Sequence, residues 1–513
     1  MRKAIWQYWT VLAACALAIT LSQVATSANA SSAKITLVLT SDVYKMGDEN
    51  GRGGMARIAA VLKAEKAAHA NVLTVHAGDT ISPSLMSGFD QGAHIVDLFN
   101  MAPLDVFVPG NHEFDFGPEV FLKRMGEFKA RVLAANLREA GGKAIAGIAN
   151  SHLFTFGAVK IGVIGLTEDG SKISSRPGRL MVSASLRATE LEAASLRKAG
   201  ADLIVLVAHA GRDRDEELFA SGLAEVILSG HDHDLYMRFN EKTAIVEAGE
   251  DGMAVAVIDL DVSIEDKSDG KRRVRWWPHF RFVDTADAKP DAAVGARVAM
   301  YDAKLNADLG DPVGKTASEL DSRNAAVRGG EAVIGNLFAD ALREGTKSDA
   351  ALLNGGGFRG GKIYPAGSTL SRKDVLTELP FLNKAYVLQV SGATLRSALE
   401  QGFVGAENEV GRFPQVSGLR IRADVTRPEG RRVVSVLING AKLKPKSLYR
   451  LVTNDYLANG GDGYSALKSA KILIGDTDAD LVSTIIISYL RSKRTVTPKF
   501  EGRIVVARAR APH

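Results

Sequence analysis

Cysteine is all but missing from this chain of 513 residues: the one example, Cys15, sits in an N-terminal stretch that reads as a leader. Without that stretch the chain has no thiol, which excludes structural disulfides and thiol catalysis. A charge excess of one sign is also missing. Lys and Arg number 64 against 59 Asp and Glu, and removing the leader's Arg2 and Lys3 takes the net charge from +5 to +3. So mild and dispersed an excess gives no ground for a nucleic-acid or membrane partner. Low-complexity tracts and internal repeats are absent too. What remains, 46% hydrophobic, 6% aromatic and 24% charged residues, is the composition of an ordinary soluble protein whose cores need no staples. At ~150 residues per domain the length suits two to four domains.

Residues 1–30 run "MRK", then the apolar "AIWQYWTVLAACALAITL", then "SQVATSANA" with small residues at Ala28 and Ala30. That is the pattern of a secretory signal, with the mature chain starting at Ser31. The apolar run is short and has no charged stop after it, so a transmembrane anchor is the weaker reading. "LAAC" at Cys15 also matches a lipoprotein box, which makes lipid attachment the rival outcome and the one route to a stable membrane partner.

From Lys34 to about Val262, short apolar runs such as "KITLVL", "NVLTVHAG", "VKIGVIGL", "DLIVLVAHAG" and "AEVILSG" alternate with helical stretches. Runs apolar on both alternating faces are strands covered on both sides, hence an α/β layered domain. "KSDGKRR", Lys267 to Arg273, reads as a solvated hairpin or loop, and residues 289–310 as an exposed helix joining two halves. A second mixed α+β domain follows, with "AVIGNLFADALREG" and "SGATLRSALEQGF" as amphipathic helices. The expected division is leader 1–30, first domain 31–288, linker helix 289–311 and second domain 312–508.

Several strands of the first domain end in a residue of metal-ligand type: Asp42, Asp79, Asn111 with His112 in "PGNHEFD", His209, and His231 with His233 in "LSGHDHD". Open α/β sheets bind ligands beyond the carboxyl ends of their strands, where residues distant in sequence converge. Carboxylate, carboxamide and imidazole together suit a pair of divalent ions such as Zn²⁺ or Mn²⁺, and the chemistry implied is metal-assisted phosphoester hydrolysis. His76, ahead of "GD", reads as a core histidine instead.

"GNHE" followed by "GHDH", with Asp42 and Asp79 in order before them, resembles the calcineurin-like metallophosphoesterases, and within them the secreted bacterial 5′-nucleotidase family, over nearly all of the mature chain. That resemblance implies a four-layer α/β/β/α domain, two divalent metal ions and a periplasmic location. Asp42, Asp79 and His233 would hold one ion, and Asp79, Asn111, His209 and His231 the other, with Asp79 bridging. His112, oriented by Asp115, would act on the transferring phosphoryl group or the leaving oxygen, while a metal-bound hydroxide attacks phosphorus in line. Glu113 is given a supporting role.

In the second half, "LLNGGGFRGG" carries Asn354 and Arg359, "ELPFLN" carries Phe381 and Asn383, and "TNDYLANGGDGY" carries Tyr456 and Asp462. With Arg328 these supply stacking rings, guanidinium groups, amides and a carboxylate, which is what a nucleoside phosphate needs. Either aromatic alone would read as core. The resemblance reverses that: Phe381 and Tyr456 would sandwich the base, Arg328 and Arg359 hold phosphate with Arg323 as a third member, and Asp462 accept from the ribose hydroxyls.

The family pattern at the first strand end is Asp-x-His, but here it reads Asp42-Val43-Tyr44. A phenol of pKa ≈ 10 is a poor ligand unless a strongly acidic ion removes its proton. Tyr44 therefore either binds as phenolate, favouring an ion such as Fe³⁺, or leaves its place to water. The reading is a secreted dimetal phosphohydrolase that removes phosphate from nucleoside 5′-monophosphates, a small-molecule substrate, at the interface of two domains. The alternatives are a UDP-sugar or 2′,3′-cyclic nucleotide hydrolase, a sulfur-ester hydrolase, or a nucleotide-binding protein with an impaired metal centre.

Overall fold

The apolar run after Lys34 lies in the strand Ala30–Thr40, paired parallel to Val72–His76 and antiparallel to Ala254–Asp266. The structure, a computed structural model, describes residues 30–171, 175–266, 272–475 and 478–508. Cys15 and the leader reading, apart from Ala30, lie outside the described residues, as do residues 267–271 of the expected hairpin or loop. Among the described residues no helix is long and apolar enough to cross a membrane.

Two large sheets build the first domain, beside a small one that pairs Leu137–Arg138 with Met181–Val182. One has seven strands in the order Arg272–Asp284, Ala254–Asp266, Ala30–Thr40, Val72–His76, Val106–Phe107, Arg131–Leu133 and Ile148–Ala149. The other has six, in the order Leu235–Phe239, Ala244–Ala248, Val226–Gly230, Leu203–His209, Val159–Leu166 and Ser151–Phe156. Leu37, Val75 and Ile258 of the first meet Val163, Val205 and Leu228 of the second in a dry layer. Burying each such side chain contributes about 1.5–3 kcal/mol. Helices Met55–Ala68, Ala93–Phe99 and Pro118–Glu127 cover the outer face of the first sheet, and Ser185–Lys198 and Arg212–Ser221 cover that of the second. Four layers result, which is why Val72–His76 and Leu203–His209 are buried at every position.

Two elements differ from the sequence reading. Arg272–Asp284 is a full strand that pairs along its length with Ala254–Asp266. Its exposed residues hid the pattern, since Arg273, Arg275, Trp277 and His279 alternate with more buried neighbours. The joining helix, Ala292–Leu309, is not simply exposed. It is capped by Asp291 and buries Val294, Val298, Leu305 and Leu309 in a cluster made mainly of first-domain residues, with Leu376 of the second domain.

The second domain has a five-stranded sheet, Pro414–Ser417, Ala350–Asn354, Leu448–Asn454, Ala385–Ser391 and Lys471–Ile474, and a four-stranded one that includes Leu419–Asp424 and Val433–Ile438. Helices Val333–Gly345 and Val482–Lys493 pack on one face of the five-stranded sheet and Gly392–Gly402 on the other. The loops after Ala350–Asn354 and Leu448–Asn454 face the strand ends of the first domain.

Candidate active site and metal centre

Each large sheet of the first domain delivers three polar residues to one point. Asp42, Asp79 and Asn111 follow strands of the first sheet, while His209, His231 and His233 end or follow strands of the second. Asp42, Asp79 and His209 are almost wholly buried. Asp42, Asp79, His231 and His233 all have positive φ, 54°, 58°, 104° and 63°, so the chain turns sharply where each strand stops.

The donor atoms form two overlapping groups. Asp79 Oδ2 lies 3.1 Å from His209 Nε2, and His231 Nδ1 lies 3.2 Å from His209 Nε2 and 3.1 Å from Asn111 Oδ1. The donors of Asp79, His209 and His231 lie within 4.8 Å of one another. In the second group, Tyr44 Oη stands 3.3 Å from Asp42 Oδ1, 3.2 Å from the same Asp79 Oδ2 and 3.1 Å from His233 Nε2. Nitrogen and oxygen donors crowded in a buried site, with one carboxylate oxygen common to both groups, fit divalent cations. His209 Nδ1 bonds the Ala77 carbonyl at 2.7 Å and His233 Nδ1 the Glu250 carboxylate at 3.0 Å, which leaves each Nε2 aimed inward.

Burial works to raise Asp79, but the imidazoles of His209, His112 and His231 prevail and hold it far below the usual carboxylate range. Burial likewise opposes charge on His233, yet Asp42 and Glu250 push it up to about 10. Burial, then Asp79 and Asp42, raise the Tyr44 phenol well above its ordinary value.

Glu113 accepts the backbone N–H groups of Asp79, Thr80, Ile81 and Gly110, at 2.9, 2.7, 3.1 and 2.5 Å. It ties the turn that carries Asp79 to the turn that carries Asn111. Gly110 lets these turns touch, since a Cβ there would lie 2.3 Å from Asp79 Oδ1. Glu113→Ala would leave four amides without their acceptor, at ~1–3 kcal/mol each. A marked fall in melting temperature together with loss of bound metal is expected; an unchanged melt would remove Glu113 from this role.

His112 Nδ1 lies 2.7 Å from Asp115 Oδ2, and the other Asp115 oxygen accepts from Ser175 at 2.6 Å. Across the domain boundary, Arg359 reaches His112 Nε2 at 2.8 Å, and its guanidinium lies 5.5 Å from the ring centre of Tyr44 and 5.4 Å from that of Phe381. A cavity of about 330 Å³ opens here, lined from one side by Tyr44, Asn111 and His112 and from the other by Arg328, Asn354 and Phe381. Arg359, Asn383, Tyr456 and Asp462 line it too. Arg328 is half-buried, and burial together with the charge of Arg359 lowers it to about 10. Two adjacent guanidinium groups in a closed cleft favour an anion between them.

Arg323 aside, the positions named from the sequence for catalysis, metal and substrate all line this cavity except Asp42 and His209. Those two are buried behind its wall, against Tyr44 and Asp79 respectively. Arg323, the suggested third cation, points elsewhere: it is exposed and pairs with Asp321 at 2.7 Å. His76 is buried between Phe99 and Phe107, as a core histidine. Sequence reasoning missed Glu250 and Ser175. Glu250 carried a usable signal, a carboxylate just past the strand Ala244–Ala248, whereas Ser175 had none.

Two family models match the chain: calcineurin-like phosphoesterase over residues 35–235, and 5′-nucleotidase, C-terminal domain, over residues 312–469. The chain thus carries a calcineurin-like phosphoesterase domain followed by a 5′-nucleotidase C-terminal domain. Among curated relatives, a snake venom 5′-nucleotidase of Naja atra is 27% identical, the match covering 92% of this chain and 98% of the relative. Among solved structures, a 5′-nucleotidase precursor from Thermus thermophilus has a TM-score of 0.81 at 27% identity, covering 94% of this chain and all of the other. The sulfate thiohydrolase SoxB of Thermus thermophilus shares the fold at a TM-score of 0.73, 19% identity and 92% coverage of this chain, 96% of its own. Family members of this kind are metal-dependent hydrolases, and the buried Asp and His cluster is where metal would bind.

Proposed function

We propose that this protein is a metal-dependent phosphohydrolase that removes the phosphate of nucleoside 5′-monophosphates. The observation that carries the proposal is the Arg359–His112 contact, which sets an anion-binding group of one domain beside the catalytic candidate of the other, above the buried donor cluster. Arg328 and Arg359 would hold the phosphate. Phe381 and Tyr456 would take the base, with Asn354, Asn383 and Asp462 on the sugar side.

Asp42, Tyr44, Asp79 and His233 would hold one metal ion, and Asp79, Asn111, His209 and His231 the other. When bound, such ions acidify water and neutralise charge on phosphoryl oxygens. Asp115 accepts from His112 Nδ1 and turns Nε2 to the cavity; with Arg359 moved from Nε2 to the phosphate, the doubly protonated ring would pass its Nε2 proton to the leaving oxygen. The domains together exclude water around the scissile bond. The leader at residues 1–30 supports export, in bacteria to the periplasm.

Phosphate release should be assayed with AMP, UDP-glucose, 2′,3′-cyclic AMP and thiosulfate, each with Zn²⁺, Mn²⁺ and iron. AMP should be the fastest. Purified protein that carries metal and binds AMP without turnover would sink the hydrolase reading, and faster turnover of UDP-glucose or cyclic AMP would reassign the substrate.

Tyr44 is proposed as an oxygen ligand, because its Oη already stands among Asp42, Asp79 and His233. The expected signature with ferric ion is a visible charge-transfer band that Tyr44→Phe abolishes. A colourless, fully active, iron-loaded enzyme would reject it.

A further inference from the structure

Tyr456 has a hydroxyl that base stacking does not require, since phenylalanine presents the same ring. That hydroxyl is engaged. Tyr456 Oη donates to Asp462 Oδ1 at 2.9 Å and accepts from the Asp462 amide at 3.2 Å. Asn354 Nδ2 donates to the other carboxylate oxygen at 2.7 Å, and Asn454 Nδ2 in turn donates to Asn354 Oδ1 at 3.2 Å. Burial and the facing carboxylate raise the phenol far above its ordinary range, so it is the donor to Asp462.

The ring is fixed at its base as well. Tyr456 sits on the helix Asp455–Ala458, whose cap Asn454 accepts from the Leu457 amide at 2.7 Å. A Cβ at Gly461 would lie 2.5 Å from the Tyr456 ring, so the ring rests against bare backbone. Asp462 itself has φ 51°, a left-handed conformation held in place by these bonds. Ring and carboxylate therefore keep one mutual orientation.

A carboxylate oxygen accepts about two hydrogen bonds. With Tyr456 on one oxygen and Asn354 on the other, each keeps an acceptor site, and the two remaining sites match a pair of vicinal hydroxyls. We propose that the Tyr456 hydroxyl locks the aromatic platform to Asp462 so that base and ribose diol are read as one unit, which makes the cleft selective for ribonucleosides over 2′-deoxyribonucleosides. The proposal rests on the nucleotide-binding reading above, although not on hydrolysis. A purely structural bond would steady the loop without altering the choice between sugars.

Calorimetric titration of the full protein with adenosine, 2′-deoxyadenosine and 3′-deoxyadenosine separates these cases, with wild type and Tyr456→Phe compared and melting temperatures recorded. Wild type should bind adenosine about tenfold or more tightly than either deoxy analogue, the scale of one hydrogen bond to a charged acceptor. In Tyr456→Phe the ratio should fall at least threefold, with adenosine losing more affinity than 2′-deoxyadenosine. A ratio unchanged in the variant overturns the proposal. So does equal binding of adenosine and 3′-deoxyadenosine by wild type, a measurement that stands even if the variant melts early, and so does failure to bind adenosine. Adenosine bound with the expected ratio, but no phosphate released from AMP, would remove the hydrolase reading and leave this one standing.

Discussion

His112→Ala is expected to lower kcat for AMP by about 10²–10⁴-fold, the range for loss of a positioned proton donor, with a much smaller change in KM. The side chain has Nδ1 committed to Asp115 and Nε2 turned into the cavity, where Arg359 touches it. Its backbone amide, which alanine retains, is what bonds Asp79 at 2.8 Å. Metal content should therefore survive the substitution while turnover does not. Stopped-time phosphate release and elemental analysis on one preparation check both halves; activity within tenfold of wild type would remove His112 from the chemistry. Asp115→Asn should fall in the same direction by a smaller factor, since the ring remains but its Nδ1 proton is no longer held by a carboxylate.

Asp79→Ala should cost more than any other single ligand. Its Oδ2 is the one donor common to both groups, near His209 on one side and Tyr44 on the other, and Oδ1 fixes the turn that carries His112. Removing it would deprive both proposed ions of a carboxylate, and a loss of at least about 10³-fold in kcat corresponds to ~4 kcal/mol of missing charge stabilisation. Elemental analysis should show that metal is lost from both sites, where Asp42→Ala, a ligand to one group only, should spare the other. Two ions per chain in Asp79→Ala would refute the shared placement.

The layered domain was legible because apolar runs such as Leu203–His209 are buried on both faces and stop abruptly at a polar residue. The same abrupt stops located Asp42, Asp79, His209 and His231. Arg272–Asp284 was not legible, because an edge strand with a charged outer face lacks that continuous signal. Glu113 could be placed only in space: its partners Asp79, Thr80 and Ile81 are more than thirty residues away, and a carboxylate that binds backbone amides leaves no pattern in side-chain types. Arg323 shows the opposite failure. It was assigned by distance along the chain, yet a local bond to Asp321 takes its guanidinium away from the cleft. The Tyr456 hydroxyl was counted only as part of a ring, since nothing in the letters says which carboxylate a phenol will meet.

The left-handed turns at Asp42, Asp79, His231 and His233 have a bearing on how this protein can change. A side chain with a Cβ is disfavoured in that conformation by about 1–3 kcal/mol, and glycine would relieve it at every one of the four positions. Drift toward glycine would thus be rewarded by the backbone and punished by the chemistry. Each ligand is consequently a site where selection for stability and selection for turnover pull in opposite directions. A lineage of this chain released from its catalytic duty should show that release first as glycines at the ends of these strands, before any erosion of the layers beneath them.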